Sequence, residues 1–234
     1  MKERMEEREL IVHKMAFDTK VAKEIVEKDK TKFFAKLSFF RPKHEDIECE
    51  SVQLFYEPFI VAKANYFLDY YRKKAYTIKI REDVSEVIAF GQTFKPGVME
   101  EGILRRPYKT ISLDAQERVI HRVATHMALN RMGREVNPTR LPSGPTELNP
   151  KPTLEKNSDR VRDLEISSNI ILDKIRKRTI ERPLDVGRIT EEMFEVTEYA
   201  LAYTPIYEAR CRRLKTGEIR ILPISGVTGK PLPL

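Results

Sequence analysis

The sequence predicts an α+β fold made of two copies of one unit, each a helix plus a small antiparallel sheet, joined by a basic helix and a proline-rich linker. Three observations predict it. Short matches recur in the same order in both halves of the chain, the residues after each central match alternate apolar and polar, and a stretch holding five prolines separates the halves.

The matches begin with Arg41-Pro42 against Arg182-Pro183. Next come Tyr56-Glu-Pro58 against Tyr203-Thr-Pro205, and Ile78-Lys-Ile80 against Ile219-Arg-Ile221. Gly91-Gln-Thr93-Phe-Lys95-Pro96 against Gly226-Val-Thr228-Gly-Lys230-Pro231 closes each copy.

A helix is expected before each Arg-Pro. The first starts at Asp18, a good N-cap, and carries Val21, Ile25, Phe33 and Leu37. The second spans residues 153–181, with Val161, Leu164, Ile171 and Ile175 at helical spacing. This stripe covers its own sheet or pairs with another subunit. After Tyr56, Tyr66–Tyr71 leads into a turn at Arg72-Lys73-Lys74, and Ala75–Arg81 returns. In the second copy Lys215-Thr-Gly217 joins Ala209–Leu214 to Glu218–Leu222, and Gly217 suits the left-handed backbone of a tight hairpin. A third strand is expected at Glu86–Phe90 and at Pro223–Val227. Ser112 caps a helix of residues 113–132 with Ile120, Val123, Ala124 and Met127 on its apolar face, ending at Gly133. Residues 136–153 then form the extended linker. The domain plan is 1–104 for the N-terminal helices and first repeat, 105–153 for the basic helix and connector, and 154–234 for the long helix and second repeat.

The net charge is +7 over 234 residues. Residues 105–153 hold nine basic and four acidic side chains, so five of the seven net charges fall there. Arg105, Arg106, Lys109, Arg118, Arg122, Arg131, Arg134 and Arg140 supply them with Lys151. Arginine grips phosphate through a planar fork, which makes the connector a candidate RNA-backbone contact. Arg118, Arg122, Arg131 and Arg134 are read as lying on the solvated side of the helix, where glutamine would leave stability unchanged. Two further basic clusters are candidates: Arg72, Lys73 and Lys74, near Tyr66, Phe67, Tyr70, Tyr71 and Tyr76, and Arg210, Arg212 and Arg213. Aromatics beside cations can stack on bases, although on a strand half of them must face the core.

Nothing in the sequence carries a compact catalytic signature. Phosphate-binding and nucleophile-elbow patterns are missing, as are the common RNA-module patterns. His121 and His126 are five apart and do not share a face. Cys49 and Cys211 lie far apart, outside any paired metal-ligand pattern, and read as reduced thiols. No cofactor, no metal and no enzymatic activity are expected, though a signature-free carboxylate site for a metal-dependent hydrolase stays open. The charged start of the chain and the lack of a long apolar run point to the cytoplasm and away from a membrane.

The strings FRPKHEDIECESVQLFYEPFIVAKANYFLDYYRKKAYTIKI and YTPIYEARCRRLKTGEIRILPISGVTGK resemble a conserved archaeal family described only as hypothetical proteins, of the type of a ribosome dimerisation (hibernation-type) factor. The resemblance implies a homodimer that joins two small ribosomal subunits and holds them idle, with ribosomal RNA as partner and no catalytic residues. The alternative is a non-enzymatic scaffold that binds an acidic protein.

Overall fold

The computed structural model describes residues 1–34, 42–99 and 107–232. In chain order the elements are β1 (Lys2–Met5), β2 (Glu9–Val12), α1 (Thr19–Phe33), β3 (Ile47–Ile80), β4 (Val87–Ala89), β5 (Gln92–Phe94), β6 (Gly97–Met99), β7 (Tyr108–Leu129), β8 (Glu135–Val136), α2 (Pro150–Lys156), α3 (Ser168–Thr179), β9 (Ile189–Arg213) and β10 (Ile219–Ser225). Eight strands form one mixed sheet in the order β1-β9-β3-β7-β6, with β10 and β2 also on β9 and β8 on β7. β4 and β5 form a separate hairpin.

The duplicated α+β plan is therefore wrong. The protein is mostly β, and its strands are not shared out as two small helix-flanked sheets. The expected helix of residues 113–132 is strand β7 for most of its length. Its burial alternates residue by residue from Ser112 to His126, the period of a strand and not of a helix. Arg72-Lys73-Lys74 does not turn either, because β3 runs straight through it for 34 residues. The expected helix of residues 153–181 is two helices, α2 and α3, and between them Val161 bridges to Tyr56 in extended conformation. Asn157 ends α2 by donating from its side-chain amide to Thr153 O, 2.8 Å away, which competes with continued helix. The expected strand at Glu86–Phe90 belongs to the separate β4–β5 hairpin. Arg41, on which the first Arg-Pro match rests, lies outside the described residues.

Other expectations match the structure. Asp18 caps α1, its side chain accepting from Lys20 N and Val21 N at 2.9 and 3.0 Å. β9 and β10 form the expected hairpin, with Gly217 at φ 69.

The chain divides into two compact units, each built from separated stretches. Unit 1 is Met1–Lys2, Tyr66–Val123 and Glu181–Phe194; unit 2 is Glu3–Asn65, Ala124–Ile180 and Glu195–Leu234. In unit 1, Tyr66, Leu68 and Tyr70 of β3 are buried while Phe67 and Tyr71 are half-exposed, so alternate residues separate the two faces. In unit 2, α1 buries Ala22 and Val26, and α3 buries Ile171, Ile175 and Thr179 at four-residue spacing. Ile60, Ala62, Ile206, Tyr207 and Ile224 complete that core from the strands.

Candidate nucleic-acid interface

On β3 of unit 1, Phe67, Asp69, Tyr71 and Lys73 are spaced by two, so all four side chains leave the same face of the strand at a step of about 6.6 Å. On β7, Arg118, Ile120 and Arg122 share a face by the same rule. The Arg122 guanidinium lies over the Phe67 ring, 5.6 Å from its centroid. Arg188 lies over Tyr71 at 4.5 Å. Backbone bonds fix the second pair: Tyr71 N donates to Arg188 O at 2.8 Å, and Gly187 N donates to Tyr71 O at 2.9 Å. A Cβ on Gly187 would meet Tyr71 O at 2.6 Å, so only glycine allows this approach. Ile120, 55% exposed, stands between the arginines of β7. Each cation–ring pair leaves guanidinium N–H groups free to donate to an anion.

Arg118 is not free in this way. Its Nε and an outer nitrogen donate to both oxygens of Asp69, at 3.0 and 2.6 Å. That two-point bond holds the Asp69 carboxyl below the usual carboxylate range and raises the guanidinium. Among the other predicted residues of unit 1, Arg72 donates to Glu117 (2.6 Å) and Asp185 (2.7 Å). Tyr76 also donates to Glu117, and together Tyr76 and Arg72 push that carboxyl down. A neighbouring relay has Tyr66 and Arg182 both donating to Glu192, at 2.8 and 2.5 Å. Lys73 and Lys74 are exposed on β3.

In unit 2 the predicted residues are mostly paired. Arg131 meets Glu57 at 3.4 Å and Glu165 at 3.2 Å. Arg210 and Arg212 both bind Glu50. Arg213 has a buried Nε without a hydrogen-bond partner among the described residues. The Arg134 guanidinium has no carboxylate partner among the described residues and is exposed. Arg105 and Arg106 lie outside the described residues. Of the connector's basic residues, Arg118 and Arg131 are answered by carboxylates distant in the chain, which a count by segment cannot register.

Cys49 and Cys211 are free thiols, Cys211 buried, and the Cys49 thiol points to Ser51 O at 3.8 Å. Burial raises both, Cys211 to about 12. Among the described residues no group of three or more His, Cys, Asp or Glu side chains is placed to hold a metal ion. No described helix is long and apolar enough to cross a membrane.

Comparison with protein-family models, with curated proteins and with solved structures gives no match. Arg188 and Gly187 escaped the sequence reading because nothing near them is periodic. Phe67 and Tyr71 were legible as aromatics beside cations, and the strand alternation decides which aromatics reach the surface.

Proposed function

We propose that the protein binds single-stranded RNA on the face of unit 1 that carries Phe67, Tyr71, Lys73, Arg122 and Arg188. The carrying observation is the pair of aromatic rings on one strand face, each under an arginine. Half-exposed rings and guanidinium planes offer stacking surfaces for bases, and the guanidinium N–H groups meet the phosphates. The basic balance of the chain favours the same class of partner.

The proposal extends to a cytoplasmic homodimer that associates with small ribosomal subunits and holds them idle. The exposed Ile88, Phe90 and Val98 of unit 1 support an apolar contact. A dimer has twice the chain mass of 27.4 kDa in light scattering, and a monomer mass at micromolar concentration removes that part of the proposal.

The deciding experiment is sedimentation from lysate with and without ribonuclease, using the whole chain and the Arg122→Gln/Arg188→Gln variant. RNA binding requires ribonuclease to release the protein and the variant to lose the association. Persistence in both cases transfers the reading to an acidic protein partner.

A further inference from the structure

In unit 2, β7 turns into β8 through a loop from Asn130 to Arg134. The loop is ordered from within. The Asn130 side-chain oxygen accepts from Met132 N at 3.1 Å and Arg134 N at 3.0 Å. Gly133 is left-handed at φ 75, and a Cβ there would come 2.7 Å from Ile166 Cδ1. Three residues further on, Asn137 caps a short 3-10 turn at Pro138–Arg140, its side-chain oxygen accepting from Thr139 N at 3.0 Å. Loop and turn together wall a cleft of about 350 Å³.

Cations outnumber carboxylates in the lining of this cleft. Arg134 and Arg140 line it, and neither guanidinium has a carboxylate partner among the described residues. Asn130 also lines it and is only 6% exposed. Since its oxygen is occupied twice, its amide NH₂ is the group left over, and it has no hydrogen-bond partner among the described residues. Phe59, Met132 and Leu141 supply apolar wall, and Glu135 supplies a carboxylate. Lys230 stands in the adjoining depression that shares Arg140.

We infer that this cleft binds a nucleoside monophosphate, free or as the phosphorylated end of an oligonucleotide. The arginines grip the phosphate with charge-assisted bonds. The apolar wall covers one face of the base, the Asn130 amide donates to a base acceptor, and Glu135 accepts from an amino or ribose hydroxyl group. A simple aliphatic carboxylate would leave the Asn130 donor and Glu135 unmet, which counts against it. The inference does not depend on the sheet-face reading, because none of its residues belongs to that face.

The test is calorimetric titration of the whole chain with the common ribonucleoside 5′-monophosphates, their nucleosides, inorganic phosphate, and a trinucleotide with and without a 5′-phosphate. At least one monophosphate should bind saturably, with its nucleoside and inorganic phosphate each about tenfold or more weaker. Arg134→Gln and Arg140→Gln should each weaken binding about tenfold or more. Asn130→Asp keeps the oxygen that orders the loop and removes the amide donor, so it should lose binding with an unchanged circular dichroism spectrum. Arg122→Gln, in unit 1, should leave binding unchanged. Tighter binding of the 5′-phosphorylated trinucleotide than of the monophosphate assigns the site to RNA ends; the reverse assigns it to the free nucleotide. No saturable binding of any monophosphate, or inorganic phosphate binding as tightly as the best of them, overturns the inference. So does a loss produced by Arg122→Gln alone.

Discussion

Arg118 holds Asp69 by two hydrogen bonds across 49 positions of sequence, and the Asp69 side chain is only 6% exposed. The same arginine therefore cannot be both a free phosphate contact and a neutral site for mutation. Arg118→Gln should lower the urea midpoint, because it leaves a nearly covered carboxylate without its partner. Arg122→Gln, whose guanidinium lies over a ring face and has no carboxylate partner among the described residues, should leave the midpoint within error. Equal midpoints for the two variants would show that the Asp69 pair contributes nothing.

RNA affinity should respond to the aromatic rows separately from the charges. Phe67→Ala and Tyr71→Ala should each cost about 1–3 kcal/mol in binding to an unstructured oligonucleotide, with little change in salt dependence. Arg122→Gln and Arg188→Gln should each flatten the log–log salt slope by about 0.7. Fluorescence anisotropy from low to moderate salt measures both. Alanine variants that bind as tightly as the parent exclude stacking at these rings.

The ion-pair cluster around Glu57 gives a larger effect. Glu57, whose side chain is 4% exposed, meets Arg162 at 2.9 Å and Arg131 at 3.4 Å, while Arg162 also binds Glu208 at 2.8 and 2.7 Å. Arg162 further covers the Phe55 ring at 4.1 Å. Arg162→Leu leaves the buried Glu57 carboxylate with the longer Arg131 contact in place of two arginines and should destabilise by about 3 kcal/mol, read by chemical denaturation. A combined Glu57→Gln/Arg162→Leu variant should recover part of that loss.

Local signals were legible in the sequence, but the overall fold was not, and the misses have physical causes. Asp18 marked α1 and Gly217 marked the β9–β10 hairpin because each satisfies a local backbone need. Residues 113–125 carry Leu113, Ala115, Val119, His121 and Val123 on odd positions, a strand period that the residues Ile120, Val123, Ala124 and Met127 counterfeit at helical spacing. The β-branched Val119, Ile120, Val123 and Thr125 favoured the strand. Arg72-Lys73-Lys74 resembled a turn through charge alone, whereas Arg72 is an inward-bonded strand residue. The partners of Arg118, Arg131 and Arg210 lie 34 to 160 positions away, a distance that no local pattern spans. The cleft at Asn130 depends on which oxygen of a side chain is already used, and only coordinates reveal that.

Stability should fall with acid in two windows. His13 is lowered by burial, so the folded state resists its protonation, and stability drops as pH falls below about 6.5. Asp69, Asp185, Glu192 and Asp46 are held low by Arg118, Arg72, Arg182 and Lys215 respectively. Their contribution is complete above about pH 4 and is lost as pH falls through the depressed folded values. His13→Gln should flatten the urea midpoint between about pH 7 and 5 while leaving the steeper loss below about pH 4.

The β4–β5 turn is a two-residue turn at Phe90 and Gly91, with φ 52 and 72. Asparagine tolerates the first of these positions and a bulky aromatic does not. Phe90 is also 92% exposed, so nothing packed on its ring offsets the strain. Phe90→Asn should increase hydrogen-exchange protection of the Val87–Phe94 amides by about 1 kcal/mol. Lower protection would show that the phenylalanine ring supports the hairpin.

The division of each unit into separated stretches has a consequence for synthesis on the ribosome. Unit 1 needs residues up to Phe194 and unit 2 needs β10, so neither unit can be completed while only β3 and β7 have emerged. Until β9 follows, the long strands of the mixed sheet present open edges and unburied Tyr66, Leu68 and Tyr70 to the surrounding solution. Such a nascent chain folds late and slowly, through contacts between residues far apart in order of synthesis, and depends on being shielded in the interval.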